Sequence, residues 1–311
     1  MAAVATGSLL LLMGVPLYGL AAMAIAESRP DSSVTKLSGG AVLTQPLRVV
    51  SLNLAHGRKT AINQFFLREQ TIRENLVEVA ALLRKSEPDV VALQEADGPS
   101  FWSGSFDHVA FLATEAGYRW HALAPHAESW IFDYGTALIS RTPLNETLRH
   151  DFRPSPPTTK KGFMLGTVSL ATDEGSIVDI DVVSVHLDFS RESVRQSQAD
   201  EMAQLLAGRN HPLVVLGDFN SDWVSENSAV RRFAELLGLH AYRPDADNLG
   251  TYDAGGDRLD WILLSPQLEF TRYEVLPDTV SDHQIVLAEV QLRPGSSYGL
   301  PQRSVASEEA P

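Results

Sequence analysis

Polar residues stand at the ends of apolar runs along the chain: Asn53 after VVSL, Glu95 after VVALQ, His186 after DVVSV, Asp218 and Asn220 after PLVVLG, Asp260 inside RLDW, and Asp282 with His283 before QIVLAEV. Strands that end together deliver such residues to one rim on a rigid frame, which gathers chemistry from distant sequence positions. The carboxylates of Glu95, Asp218, Asp260 and Asp282 would repel one another there, and a hard divalent cation relieves that repulsion. In a chain without cysteine, oxygen and imidazole are the available donors. Oxygen ligands with no thiolate favour Mg²⁺, with Mn²⁺ as a substitute, over zinc.

The elements that must hold these residues are legible as short β-branched runs: LRVVSLNLA, DVVALQEA, GTALIS, GFMLGTVSL, IVDIDVVSVHLDF, PLVVLGDFN, RLDWILLS and QIVLAEVQL. Each reads as a strand. Ile72, Leu76, Val79, Leu82 and Leu83 form one helical stripe, and Val194 to Leu206 and Ala229 to Leu237 behave likewise. Many runs follow one another without a helix between them, which predicts largely antiparallel sheets with helices on their outer faces. The fold class is α/β, and the architecture a sandwich.

Asn53, the LQE ending at Glu95, the VHLDF around His186, the GDFN of Asp218 and Asn220, RLDW with Asp260 and the SDH of Asp282 and His283 occur in an order that resembles the endonuclease/exonuclease/phosphatase superfamily. The resemblance spans Leu47 to Leu292. Its members include deoxyribonuclease I, abasic-site endonucleases, neutral sphingomyelinases, inositol polyphosphate phosphatases and exported bacterial phosphodiesterases. It implies a four-layer αββα sandwich of two mostly antiparallel sheets packed face to face. It also implies that Glu95 is the principal metal ligand, that Asn53 positions metal and phosphate, and that Asp282 is a metal ligand or supports one. On the same likeness His283 activates the attacking water and Asp260 orients His283. Asp218 and Asn220 align the nucleophile and bind phosphoryl oxygens, and His186 stabilises charge on the phosphorane or leaving oxygen.

Some residues depart from that pattern or add to it. Ala55 stands where abasic-site endonucleases carry an acid, which weakens a repair reading. His56, Arg58 and Lys59 in LNLAHGRK are expected to meet a substrate phosphate, as are Arg141 after GTALIS and Lys160 and Lys161 in TTKKGF on the same rim. Tyr134 is a weaker candidate for a phosphate contact. Asp218 to Asp222 copies the opening of a calcium-binding loop, but Trp223 and Ala229 occupy its sixth and twelfth positions, so that motif fails.

With 25 Lys+Arg against 39 Asp+Glu, the 311-residue chain carries a formal charge of -14, which argues against a general nucleic-acid coat protein. Ala2 to Ala26 holds no charged residue and reads as a signal peptide or membrane anchor, unless translation starts at Met13 or Met23 and the protein is cytoplasmic. Residues 27–45 read as a flexible linker, 46–292 as one catalytic domain and 293–311 as a disordered tail. The expected function is a metal-dependent phosphoester hydrolase, read as an exported or membrane-anchored phosphodiesterase that uses Mg-assisted in-line water attack. Its expected partner is a small or lipid-linked phosphoester, with membrane association through the N-terminus. The alternatives are a secreted DNA or RNA endonuclease, with nucleic acid disfavoured as a partner, and a catalytically silent envelope binding protein.

Overall fold

Side chains alternate along each central strand, yet both faces are apolar, because each sheet is covered on both sides. The computed structural model describes residues 42–252, 256–296 and 303–304. In chain order these form β1 (Leu47–Asn53), α1 (Glu69–Ser86), β2 (Val90–Asp97), α2 (His108–Ala116), β3 (Trp120–Glu128), β4 (Asp133–Ser140), β5 (Thr147–Asp151), β6 (Gly162–Ala171) and β7 (Ser176–His186). There follow α3 (Glu192–Leu206), β8 (Leu213–Asp218), α4 (Ala229–Leu237), β9 (His240–Ala241), β10 (Asp260–Leu264), β11 (Leu268–Val275), β12 (Val286–Leu292) and β13 (Arg303–Ser304).

One sheet has the order β11-β12-β1-β2-β4-β3 and the other β5-β6-β7-β8-β10-β9, with β13 alongside β7. Within them β1 and β2, and β7 and β8, run parallel, and the remaining pairs are antiparallel. Val49, Ala92, Val182, Leu216 and Ile262 pack between the sheets. Val50 and Leu93 face outward under α1 and α2, against Ile72, Leu76 and Leu112. Val183, Val215 and Leu263 face outward under α3 and α4, against Met202 and Phe233. The result is the αββα sandwich that the motif order implies.

Strand register sets the position of the site. Register aligns His186 with Asp218 across β7 and β8, and Asp260 with Asp218 across β10 and β8. In the other sheet Asn53 pairs with Gln94, one residue before Glu95. Just below this rim the inter-sheet space turns polar: Gln94 Nε2 donates to Ser184 Oγ at 3.0 Å, and Ser184 Oγ donates to the Leu93 carbonyl at 2.8 Å. These bonds tie the two sheets where the apolar core ends.

The expected boundaries differ at both ends. Leu43 bonds through its N–H to the Ser169 carbonyl at 2.9 Å and through its carbonyl to Ala171 N at 2.8 Å, and Gln45 Oε1 accepts from Leu292 N at 2.8 Å. The end of the segment read as a linker therefore belongs to the sandwich. In the segment read as a tail, Arg303 and Ser304 pair with Ile177 and Ser176. Residues 1–41, which include the whole of the signal or anchor segment, lie outside the described residues, as do 297–302 and 305–311. Among the described residues no helix is long and apolar enough to cross a membrane. The sequence reading also left α2 unassigned. Asp107 caps it by accepting from Ala110 N at 2.8 Å, and Gly117 ends it at φ 80°.

Gly217 precedes Asp218 at φ +152°, and a Cβ there would sit 2.0 Å from the Val185 carbonyl oxygen on the neighbouring strand. Gly217→Ala is expected to lower unfolding free energy in urea by about 2 kcal/mol or more. An unchanged midpoint would show that β7 and β8 tolerate separation at the rim.

Candidate functional site

Each rim residue is aimed by a local backbone device. The β2–β4 register shifts between Leu93 and Ala96, and Glu95 sits in this irregularity at φ 47°. A non-glycine residue in that region stores on the order of 1 kcal/mol, and such bulges re-aim a side chain beside a site. Asn53 Oδ1 accepts from Ala55 N at 3.0 Å, while its Nδ2 donates to Asp218 Oδ2 at 3.0 Å, so one side chain caps its own turn and reaches the opposite sheet. Asp218 Oδ1 accepts from Asn220 N at 2.9 Å, and Asn220 Nδ2 donates to the Leu187 carbonyl at 3.1 Å. Ser281 Oγ donates to the Asn53 carbonyl at 2.7 Å, fixing the segment that carries Asp282 and His283.

His283 Nδ1 lies 2.8 Å from Asp260 Oδ2, which also accepts from Thr251 Oγ1 at 2.6 Å. Its Nε2 faces Asp218 Oδ2 at 3.9 Å. Burial opposes charge on this imidazole, but Asp260 and Asp218 outweigh it and raise the ring to about 10. Burial pushes the Asp218 carboxyl up to about 7, with His283 pulling against it and Asp260 adding to it. His186 Nε2 lies 3.5 Å from Asp218 Oδ2, and the buried Lys161 Nζ is 3.3 Å from either ring nitrogen. Burial and then the Lys161 charge hold His186 well below its ordinary value, so it is a neutral ring. Burial also depresses Lys161, against the carboxylates of Glu95, Asp218 and Asp188. Glu95 is held below its ordinary value despite burial, by His56, Lys161, His283 and Arg58.

A cleft of about 350 Å³ opens over these groups, and Asn53, Glu95, His186, Asp218, Asn220, Asp282 and His283 all line it. Lys161 lies beneath His186. The remaining expectations divide. Arg141 is corrected: it follows β4, whose Ser140 pairs with Val90 at the far end of β2, roughly 17 Å of strand away from Glu95. There its Nε donates to the Pro88 carbonyl at 2.9 Å and its guanidinium lies over Tyr118. Lys59 is also corrected, since it pairs with Glu78 at 2.6 Å on the surface. His56 meets carboxylates, Asp97 at 2.7 Å and Glu95 at 3.4 Å. Arg58 reaches the cleft but is ion-paired with Asp282, which occupies the carboxylate expected to serve a cation. Tyr134 is buried against Trp102 and bonds Thr159 Oγ1 at 2.6 Å. Thr251, Tyr252 and Phe189 were not anticipated; short polar loops and a lone aromatic carry no periodicity to mark them.

The donor set fits a hard divalent cation. Among the described residues, Asp218, Asp260 and His283 offer ligand atoms within 4.8 Å of one another. Among the described residues the buried Asp260 Oδ1 has no hydrogen-bond partner, an acceptor that an ion would satisfy. This group differs from the expected trio of Glu95, Asn53 and Asp282; that trio lines the cleft together with Asp218 and His283, and Asp260 lies buried behind His283.

Residues 50–283 match the model of the Endonuclease/Exonuclease/phosphatase family. No curated protein matches the chain. Among solved structures, an endonuclease/exonuclease/phosphatase family protein from Leptotrichia buccalis C-1013-b is similar with a TM-score of 0.62 at 17% identity, over 79% of this chain and 100% of that one. A mannosyl-6-phosphatase from Bacteroides thetaiotaomicron VPI-5482 gives 0.57 at 20% identity, over 79% and 100%. The catalytic domain of human nocturnin with bound sulfate gives 0.56 at 20% identity, over 82% and 97%. At these identities the likeness is one of fold.

Because the His283 ring titrates above its ordinary value, its pairing stabilises the cation-free protein at low and neutral pH, and that contribution is lost as pH rises through about 10. In Asp260→Asn the acid dissociation constant of His283, followed by imidazole NMR in chelator-treated protein, is expected to rise at least about tenfold. An unchanged titration would mean that Asp260 does not hold the ring.

Proposed function

The chain belongs to the Endonuclease/Exonuclease/phosphatase family, whose members hydrolyse phosphoester bonds, and on that premise we propose that it is a Mg²⁺- or Mn²⁺-dependent phosphodiesterase acting outside the cytoplasm on a small or lipid-linked phosphodiester. The observation that carries the reading is the Asp260–His283 pair, 2.8 Å apart, with the other imidazole nitrogen turned toward Asp218 at the cleft. A base, its orienter and converging acids are what water attack on phosphorus requires.

The residues divide the work as follows. Glu95, Asn53, Asp218 and Asp260 would hold the ion, and Asp282 would be recruited only if Arg58 releases it. When bound, the ion supplies Lewis-acid polarisation of a phosphoryl oxygen and a positive charge that favours the unprotonated form of His283. His283 Nε2 then takes the proton of a water, and Asp260 keeps Nδ1–H in place so that Nε2 is the accepting nitrogen. Asn220 and Asp218 orient that water and the phosphoryl oxygens. His186, neutral and backed by the Lys161 charge at 3.3 Å, faces the oxygen on which negative charge develops. Arg58 would exchange Asp282 for a substrate phosphate oxygen.

The surroundings of the cleft support an amphiphilic substrate over a nucleic acid. Phe65, Phe66, Phe101, Trp130 and Phe189 are exposed on loops that leave the same rim, and Phe189 lines the cleft. Rings at a cleft mouth suit a diester with an apolar part. The formal charge of -14 also disfavours a polyanionic substrate. The uncharged run Ala2 to Ala26 supports the extracytoplasmic location.

The full chain is expected to hydrolyse bis-p-nitrophenyl phosphate and, faster, a phosphodiester lipid. Chelator should abolish both activities and Mg²⁺ or Mn²⁺ restore them. Glu95→Gln and His283→Ala should each lower kcat by about 10²- to 10⁴-fold. Turnover that survives chelation or His283→Ala would overturn the mechanism. Preferential nicking of plasmid DNA would move the substrate to nucleic acid.

A further inference from the structure

The turn after β1 carries a histidine that the work assigned above does not use. Ala55 and His56 both take left-handed backbone, at φ 46° and 56°. Two such residues in succession are uncommon without glycine, and they fold the imidazole back beside β2. The ring is clamped edge-on by Trp102 at 4.9 Å and Tyr134 at 4.7 Å between centroids. It is 7% exposed.

Its two nitrogens have different tasks. Asp97 is fully buried, and its Oδ1 already accepts from Trp102 Nε1 and Ser103 Oγ, each at 2.9 Å. Asp97 Oδ2 lies 2.7 Å from His56 Nδ1 and accepts no other hydrogen bond from the described residues, His108 Nδ1 being 3.9 Å away, so Nδ1 carries a proton directed at it. That leaves Nε2 beside Glu95, 3.4 Å from its Oε2. A charge-assisted N–H···O bond is about 2.7–2.9 Å, so this distance is long for one. A carboxylate oxygen and an imidazole nitrogen this close, with no short hydrogen bond between them, could share one cation. Carboxylate, imidazole and cation in line is the arrangement in which an outer acid fixes the tautomer of a ligating histidine. Next to it Ala55 leaves out the side chain that could have supplied an oxygen.

We propose that His56 Nε2 is a ligand of the cation held by Glu95, with Asp97 as the group that orients it, and that this nitrogen makes the site prefer Mn²⁺ over Mg²⁺. The proposal rests on the reading of Glu95 as a cation ligand. A nitrogen donor shifts preference along the divalent series, because Mg²⁺ takes oxygen almost exclusively while Mn²⁺ accepts imidazole.

The test uses the full chain and Mn²⁺ alone. Calorimetry is expected to show Mn²⁺ bound at least about tenfold more tightly than Mg²⁺, and pulsed EPR of the bound Mn²⁺ to show coupling to an imidazole nitrogen. That coupling should persist in a His186→Ala/His283→Ala double variant, which leaves His56 as the histidine beside Glu95. In His56→Gln it should disappear, with Mn²⁺ affinity falling about tenfold or more and Mg²⁺ affinity changing by less than about threefold. The glutamine amide can still donate to Glu95, so wild-type Mn²⁺ affinity in His56→Gln would reduce His56 to a hydrogen-bond donor and overturn the proposal. Absence of nitrogen coupling in the double variant would overturn it without any change at His56. If Glu95→Gln leaves Mn²⁺ binding intact, the reading of Glu95 fails. If Glu95→Gln weakens binding and His56→Gln does not, the failure is confined to His56.

Discussion

Mutual repulsion among carboxylates withdrawn from water is the constraint around which this molecule is arranged. Glu95, Asp97, Asp218 and Asp260 lie within the end of a sandwich whose interior is hydrocarbon, where an unpaired charge costs several kcal/mol. Each is answered by a specific neighbour. Asp218 receives N–H groups from Asn53 and Asn220, and Asp260 receives Thr251 and His283. Asp97 receives His56, Trp102 and Ser103. Glu95 has His56 beside it, and Lys161 gives up solvation to stand among them. The balance is incomplete, as the raised carboxyl of Asp218 and the unmet Asp260 Oδ1 both record. A site left short of positive charge in this way is prepared for a cation.

The two sheets divide the task. One delivers Glu95 through a bulge and Asn53 through a strand end, and the other delivers His186, Asp218 and Asp260 in a single row fixed by register. Asn53 links them directly, because its amide holds Asp218 while its carbonyl holds Ser281 ahead of His283. The polar layer of Gln94 and Ser184 beneath prevents the sheets from sliding without breaking buried hydrogen bonds. Distances at the rim are therefore set by backbone register more than by side-chain rotamers, which is the condition for preorganised electrostatics.

Much of this was legible in the sequence, and the exceptions have physical causes. Runs buried on both faces, such as PLVVLG and RLDWILLS, are continuous in apolar residues and end abruptly, so the strand and its terminal Asp are read together. Strands β3, β5 and β11 lie at sheet edges and mix buried with partly or fully exposed positions, which blurs their period. Arg141 was misplaced because a strand end in sequence does not say which pole it occupies. Strand β4 runs antiparallel to β2, so its last residue lies where β2 begins, while Lys161, just ahead of β6, falls at the rim for the same reason. His56 was read as facing phosphate because nothing in LNLAHGRK announces two consecutive left-handed residues. Ring stacking by Trp102 and Tyr134, distant in sequence, completes a contact that no local pattern encodes.

Leu43 enters the sandwich beside Leu170 and Ala171, where β6 meets the start of β7. Counting strand rise from Val178 to His186, that is roughly 25 Å from the catalytic end. A resin, a bead or a carrier protein coupled directly at residue 42 thus meets the molecule on the end opposite the cleft. Immobilised there, the protein would turn its cleft to the bulk phase, open to solutes that need not pass the support.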